Sequence, residues 1–316
     1  MLEFFKTINN QVKKLDAFES DCWVNVVAPT EEEKKYLIES LGVLPEFIRQ
    51  ALDEEESPHI DYDDDILQRL IMVDFPLMTK QVGTENNMPL QYMTYPLGFI
   101  SYKDFIVTIS NHENQEIADF KSGVTKNINT NMKTRFFLTL MLKISQRFLL
   151  YLRQIDRLSS LTEQELHKSM QNNELIQMLG LEKSLVYFST SLKTDEIIMN
   201  KILRGKIIKL YEDDQDLLDD VLIEVHQAIE MCNIYSNILS GTMDAFASII
   251  SNNLNIVMKV LTIITIVMSI PNMVFGFYGM NTKDELPWAY WFVPIIISIV
   301  LCVITTIIFR KKKMFR

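Results

Sequence analysis

Polar and apolar positions separate most sharply in the C-terminal part of the chain. "LNIVMKVLTIITIVMSIPNMVFGF", Leu254–Phe277, holds a single charge, Lys259, near its start. "WAYWFVPIIISIVLCVITTIIF", Trp288–Phe309, holds none. As helices rising ~1.5 Å per residue, both reach across a hydrocarbon core of about 30 Å. The connection 278–287 is short, so the two spans form an antiparallel hairpin. Trp288, Tyr290 and Trp291 stand where aromatic side chains mark a membrane interface, and "RKKKMFR", 310–316, is the kind of basic cluster that stays on the cytoplasmic side. A pair of buried core helices would explain neither the aromatic belt nor the basic tail. Two crossings return the chain to its starting side. The large N-terminal part and the tail are therefore expected in the cytoplasm, and "YGMNTKDELP" outside.

Inside the first span the polar and small residues keep a period of their own. Asn255, Thr262, Ser269 and Gly276 are seven residues apart; Met258, Thr265, Asn272 and Gly279 repeat the spacing three positions on. This 3.5-residue period draws one stripe along a helix. Polar groups at membrane depth face a partner helix or a water-filled cavity. The stripe thus predicts either a close-packed seam or the lining of a pore. One hairpin cannot enclose a pore, so the second reading requires a cyclic homo-oligomer. The second span has no comparable stripe and should face lipid. Pro271 removes a backbone donor within the first span and should kink it, leaving a carbonyl that Asn272 can satisfy.

Upstream, no proline occurs between Pro96 and Pro271, and the composition favours long helices. Two are expected near 131–170 and 174–204, folded back as a hairpin. A third, from Asp216 to Asn253, should run into the first span as a stalk. Residues before about 125 read differently. "CWVNVVAP", "ILQRLIMVDFPL" and "LGFISYKDFIVTIS" are strand candidates, and "TEEE" from Thr30 is a capping box opening a helix. An α/β layered domain is expected there.

Composition narrows the chemistry. The net charge of −10 argues against nucleic acid as partner and suits a part that handles cations or stays soluble. Cys22, Cys232 and Cys302 fit no zinc or CxxC spacing and read as free thiols in a reducing compartment. The N-terminus carries charges throughout and no apolar h-region, unlike a signal peptide. His59, His112, His167 and His226 show no paired metal-ligand spacing. The acidic runs Asp53–Glu56 and Asp61–Asp65 have no nucleophile beside them. There is no phosphate-binding glycine loop. An enzyme has the least support.

"YGMN", 278–281, placed directly after one span and before a second with a basic tail, resembles the CorA family of magnesium transport proteins. "MKVLTIIT", Met258–Thr265, and the stretch Pro271…Gly276–Asn281 match the family pattern, as do Trp23–Asp65 and "LEKSLVYFSTSL", Leu181–Leu192. The likeness spans essentially the whole chain. It implies a funnel-shaped homopentamer in the plasma membrane: an α/β cytoplasmic domain, long stalk helices and two C-terminal transmembrane helices, the first lining the pore. It implies passive Mg²⁺ uptake, often with Co²⁺ or Ni²⁺, closed by cytosolic Mg²⁺. The corresponding map is 1–128 for the α/β domain, 129–253 for arms and stalk, 254–277 for the first span, 278–287 for the outer loop, 288–309 for the second span and 310–316 for the tail.

The motif suits that cargo. Mg²⁺ dehydrates reluctantly. A ring of Asn281 amide oxygens can hydrogen-bond its waters, and neutral oxygens hold the dication weakly enough to release it. Gly279 permits a tight exit turn; Met280 packs the turn. Gly279, Met280 and Asn281 are thus the candidate filter. Asn255, Met258, Leu261, Thr262, Thr265, Ser269 and Asn272 are the candidate pore lining, with Met258 and Leu261 matching the family's hydrophobic constriction. Asp284 and Glu285 either concentrate cations at the mouth or are ordinary loop charges. A dication falling through 100 mV releases roughly 4.6 kcal/mol, so no ATP is needed. For regulation, Asp220 with Asp219 beside it aligns with the family's stalk carboxylate. The family's acidic pair in the α/β domain aligns with Arg49 and Gln50, which puts the familiar sensing site in doubt. Asp53–Glu56 nearby either substitute or form a solvated turn. Two alternatives stay open: a transporter of another dication such as Zn²⁺, and a non-conducting membrane-anchored scaffold or sensor.

Overall fold

The computed structural model describes residues 1–79, 91–169, 172–205, 208, 210–279, 290 and 292–312. The chain divides into two compact units, Met1–Gly241 and Thr242–Arg316.

The first unit is built on a seven-stranded sheet in the order β2-β1-β3-β7-β6-β5-β4. The strands are β1 (Leu2–Ile8), β2 (Gln11–Leu15), β3 (Trp23–Val27), β4 (Ile60–Asp63), β5 (Gln68–Thr79), β6 (Gln91–Tyr102) and β7 (Phe105–Ser110). Neighbours are antiparallel except β3 and β7, which pair in parallel from Trp23↔Ile106 to Val27↔Ser110. That central pair is buried almost throughout, as a strand covered on both faces should be.

One face carries two short helices, α1 (Glu31–Glu39) and α2 (Pro45–Ala51). Leu37, Phe47, Ile48 and Ala51 pack there on Val24, Leu70, Met72, Ile100 and Val107. The packing is close enough that a Cβ on Gly98 would lie 2.5 Å from the Ala51 Cβ. Thr30 opens α1 with the expected capping box: its hydroxyl accepts from the Glu33 N–H at 3.3 Å, and the Glu33 carboxylate accepts from the Thr30 N–H at 2.9 Å. On the other face, Trp23 and Phe99 meet α3 (Gln115–Lys121) and α4 (Lys133–Ser169) through Phe120, Phe136 and Phe137.

Two local features depart from the sequence pattern. The N-terminal stretch that reads as merely charged is a β-hairpin. Its turn residues Asn9 and Asn10 both take positive φ (53° and 61°), which asparagine tolerates and a right-twisted hairpin requires. The single strand candidate "LGFISYKDFIVTIS" is two strands, reversed at Lys103 with φ 42°.

The helices expected near 131–170 and 174–204 are α4 and α5 (Asn172–Leu203). The expected stalk and first span are one helix, α6 (Glu212–Tyr278), which contributes to both units and passes Gly241 without a break. In the first unit α6 buries Leu218, Val221, Val225, Ala228 and Cys232, an i, i+3/i+4 stripe. In the second unit, its C-terminal stretch is joined by α7 (Val293–Lys311). All three cysteines are free thiols; Cys22 and Cys232 are buried and Cys302 half-buried.

Candidate functional site

Within the second unit, α6 and α7 are both long and apolar enough to cross a membrane. Almost all of their surface is open in the single chain. From Leu254 onward, the less exposed positions of α6 are Val260, Ile263, Val267, Ile270, Pro271, Val274 and Tyr278, of which Ile263 is buried. Val260, Ile263, Val267, Ile270 and Val274 recur at helical spacing and form an apolar seam. On α7, Ser298 is buried and gives its hydroxyl proton to the Ile295 carbonyl.

The polar stripe lies elsewhere. Asn255, Thr262, Thr265, Ser269 and Asn272 are all exposed, as are Met258 and Leu261. On α6 the less exposed face is therefore aliphatic, and the hydroxyls and amides of the stripe lie outside it. Those hydroxyls share one geometry. Thr262 donates to the Met258 carbonyl at 2.7 Å, Thr265 to Leu261 at 2.8 Å and Ser269 to Thr265 at 2.8 Å. Each proton is spent on the helix's own backbone. What remains outward is oxygen lone pairs, so the row of hydroxyls accepts hydrogen bonds and does not donate them. Near the start of the stripe, Asn252, Asn255, Met258, Lys259 and Thr262 line an open groove of about 350 Å³.

Pro271 lacks the N–H that would reach the Val267 carbonyl. That carbonyl accepts instead from the Cys302 Sγ of α7 at 3.5 Å. The sequence suggests Asn272 for this task; a thiol on the partner helix does it. Gly279 closes the helix with its N–H on the Phe275 carbonyl at 2.9 Å, and a Cβ there would stand 3.1 Å from the same oxygen. Met280, Asn281, Asp284 and Glu285 lie outside the described residues.

A family profile described as CorA-like Mg²⁺ transporter protein matches residues 19–311. The chain belongs to this family. A cobalt/magnesium transport protein CorA from Methanocaldococcus jannaschii is 25% identical over 306 residues, covering 92% of this chain and 90% of the relative. A protein of the same description from Thermotoga maritima is 33% identical over 147 residues, covering 42% of each chain. The complete structure of the CorA magnesium transporter from M. jannaschii superposes with a TM-score of 0.81 at 22% identity, covering 98% of this chain and 97% of that one. The fold is thus the CorA fold: an α/β N-terminal domain, a long helix and two C-terminal apolar helices.

The regulatory candidates of this CorA-family chain lie on different elements. Asp219 and Asp220 are exposed, on the side of α6 opposite the buried Leu218 and Val221. Arg49 is exposed on α2 and lines an open groove with Lys34, Lys35, Ile38, Leu52 and Glu54. The acidic run beside it is occupied locally: Asp53 Oδ1 accepts from the Glu55 N–H, Glu54 meets His112 Nε2 at 2.9 Å, and Glu56 lies 3.6 Å from His59. Among the described residues no three acidic, histidine or cysteine side chains converge as a metal would need.

Proposed function

We propose that this chain is one subunit of a passive channel for hydrated divalent cations, Mg²⁺ first, with Co²⁺ and Ni²⁺ as further cargo. The observation that carries the reading is the stripe turned away from the hairpin's own seam. A seam built from the stripe of α6 would have satisfied the sequence equally well, but the face of α6 that is less exposed is Val and Ile. An acceptor-only row suits a cation that keeps its water shell, because the waters of a bound cation point their protons outward. The relatives' names, which describe magnesium and cobalt transport, support the same cargo.

In this reading five copies of the α6 stripe surround a pore. Asn255, Thr262, Thr265, Ser269 and Asn272 line it, and Met258 with Leu261 form a constriction that dewets when narrow. Gly279, Met280 and Asn281 make the outer collar, with Asp284 and Glu285 raising cation concentration at the mouth. Both termini lie in the cytoplasm, α6 and α7 cross the plasma membrane, and the inside-negative potential drives uptake. Cytosolic Mg²⁺ closes the channel through Asp219 and Asp220.

The test is Mg²⁺ entry into proteoliposomes holding a Mg²⁺-sensitive dye under an inside-negative potential. Wild-type influx, lost or unselective in Asn281→Ala, is the expected result. Flux of Zn²⁺ without Mg²⁺ moves the cargo, and no flux of any ion leaves a scaffold. Native mass measurement in detergent checks the pentamer; a clean dimer sinks the central pore. Closure by millimolar Mg²⁺ that survives Asp220→Ala removes the stalk carboxylates from regulation.

A further inference from the structure

α5 is held to the sheet by an unusual cluster. Ser191 and Asp195 lie one turn apart on α5, so they share a face. Both are buried, as is Asp74 on β5. The Asp74 N–H donates to Asp195 Oδ1 at 3.1 Å. The Ser191 hydroxyl donates to Asp74 Oδ2 at 2.5 Å and lies 2.8 Å from the Thr94 hydroxyl on β6. A hydroxyl has one proton to give. Thr94 therefore donates to Ser191 and Ser191 to Asp74, a chain that ends on one carboxylate with the second carboxyl of Asp195 beside it.

Among the described residues no basic group neutralises either acid. The titratable groups of the surrounding elements are engaged elsewhere. On α4, Arg147 is bound to Glu116 at 2.6 Å, and the Tyr151 ring lies against Tyr92. On β6, the Tyr92 hydroxyl donates to Gln154 and the Tyr95 ring sits on His112. On α6, His226 is 3.6 Å from Glu196 of α5. Lys193 of α5 and Arg69 of β5 are exposed. Burial pushes the Asp74 carboxyl up to about 6 against the pull of the Ser191 hydrogen bond. Burial and the Asp74 charge hold Asp195 well above the usual carboxylate range. Two like acids in a dry site share protons rather than ionise together.

We propose that Asp74 and Asp195 form a proton-operated latch between α5 and the sheet, tight when both carboxyls carry a proton and loosened when Asp74 loses its own. The direction follows from linkage. Asp74 holds its proton more firmly folded than unfolded. Its contribution is complete below the ordinary aspartate value of 3.8 and is lost as pH rises through about 6. The latch bears on α6, because the Cys232 thiol donates to the Leu185 carbonyl and Ser240 to the Glu182 carboxylate of α5.

Hydrogen–deuterium exchange on the full-length protein in detergent tests this without any transport assay. Protection of the 190–199 amides, corrected for intrinsic exchange, should rise about tenfold from pH 7.5 to 5.0. Asp74→Asn should be protected at both pH values and flat between them. Ser191→Ala, which removes the donor to the Asp74 carboxylate, should move the wild-type midpoint upward, and it decides the matter if Asp74→Asn fails to fold. Protection that does not change with pH in the wild type, an Asp74→Asn variant that keeps the wild-type slope, or an unmoved midpoint in Ser191→Ala overturns the latch.

Discussion

The two units of this chain treat apolar surface in opposite ways. In the first, Trp23, Phe99, Phe136 and Phe137 are buried in a sheet-and-helix core, and the exposed positions are mostly polar. In the second, Val257, Met258, Leu261, Met268, Met273, Ile299 and Ile304 are all about half exposed or more, and Asn255, Thr262, Thr265, Ser269 and Asn272 are aligned on one stripe of α6. The first unit supplies its own dry interior. The second has the surface expected of helices whose solvent is hydrocarbon, with backbone bonds closed within each helix save at the Val267 carbonyl, which the Cys302 thiol meets. Exposure thus has a different meaning in each: an exposed leucine in the second unit is at home, and the exposed threonines need explaining.

The largest effect that would sharpen this contrast is in the core of the first unit. Gly98→Val should cost several kcal/mol, on the order of 3 or more, because the new side chain enters space held by Ala51 and Met72. Thermal unfolding of the solubilised protein measures it. An equally bulky change at Met268, 67% exposed on the second unit, should cost almost nothing; a large loss there would break the comparison. Next comes the stripe. Ser269→Leu should cut Mg²⁺ influx about tenfold or more while folding normally, whereas Met268→Leu beside it should leave influx unchanged. Equal effects at the two positions would mean that no face of the helix is special. Removing the capping box with Thr30→Ala should lower stability by about 1 kcal/mol, read from the denaturation midpoint. The smallest effect is at the hairpin. Cys302→Ala leaves the Val267 carbonyl without its thiol donor and should cost a few tenths of a kcal/mol, since a thiol is a weak donor. Steric-trap unfolding in bicelles can resolve it, and a cost above ~1.5 kcal/mol would show that the bond holds more than this geometry implies.

Much of the architecture was legible because it rests on period and punctuation. The proline-free stretch after Pro96 contains α4, α5 and most of α6, and Thr30 with Glu33 opens α1. The β1–β2 hairpin leaves a weak signal because its alternation is interrupted by adjacent Phe4 and Phe5, and because "NN" is a weaker turn signal than Asn-Gly. The reversal at Lys103 has no sequence signal because lysine rarely takes positive φ. Of the site, the stripe itself was visible in the sequence as two heptad series. Whether it was a seam was not, since period alone does not say which face meets α7.

The sequence by itself determined what each segment can be: two runs that water would not tolerate, one polar line along the first of them, a helix cap, and strands too apolar to stand alone. These depend on neighbours close along the chain, where the 3.6- and 2-residue periods hold. Only the tertiary structure decided which helix face packs, that Cys302 answers the carbonyl Pro271 frees, and that Asp74 and Asp195 meet across an interface 121 residues apart in sequence. Those pairings depend on burial and approach between distant segments, for which no local pattern carries information.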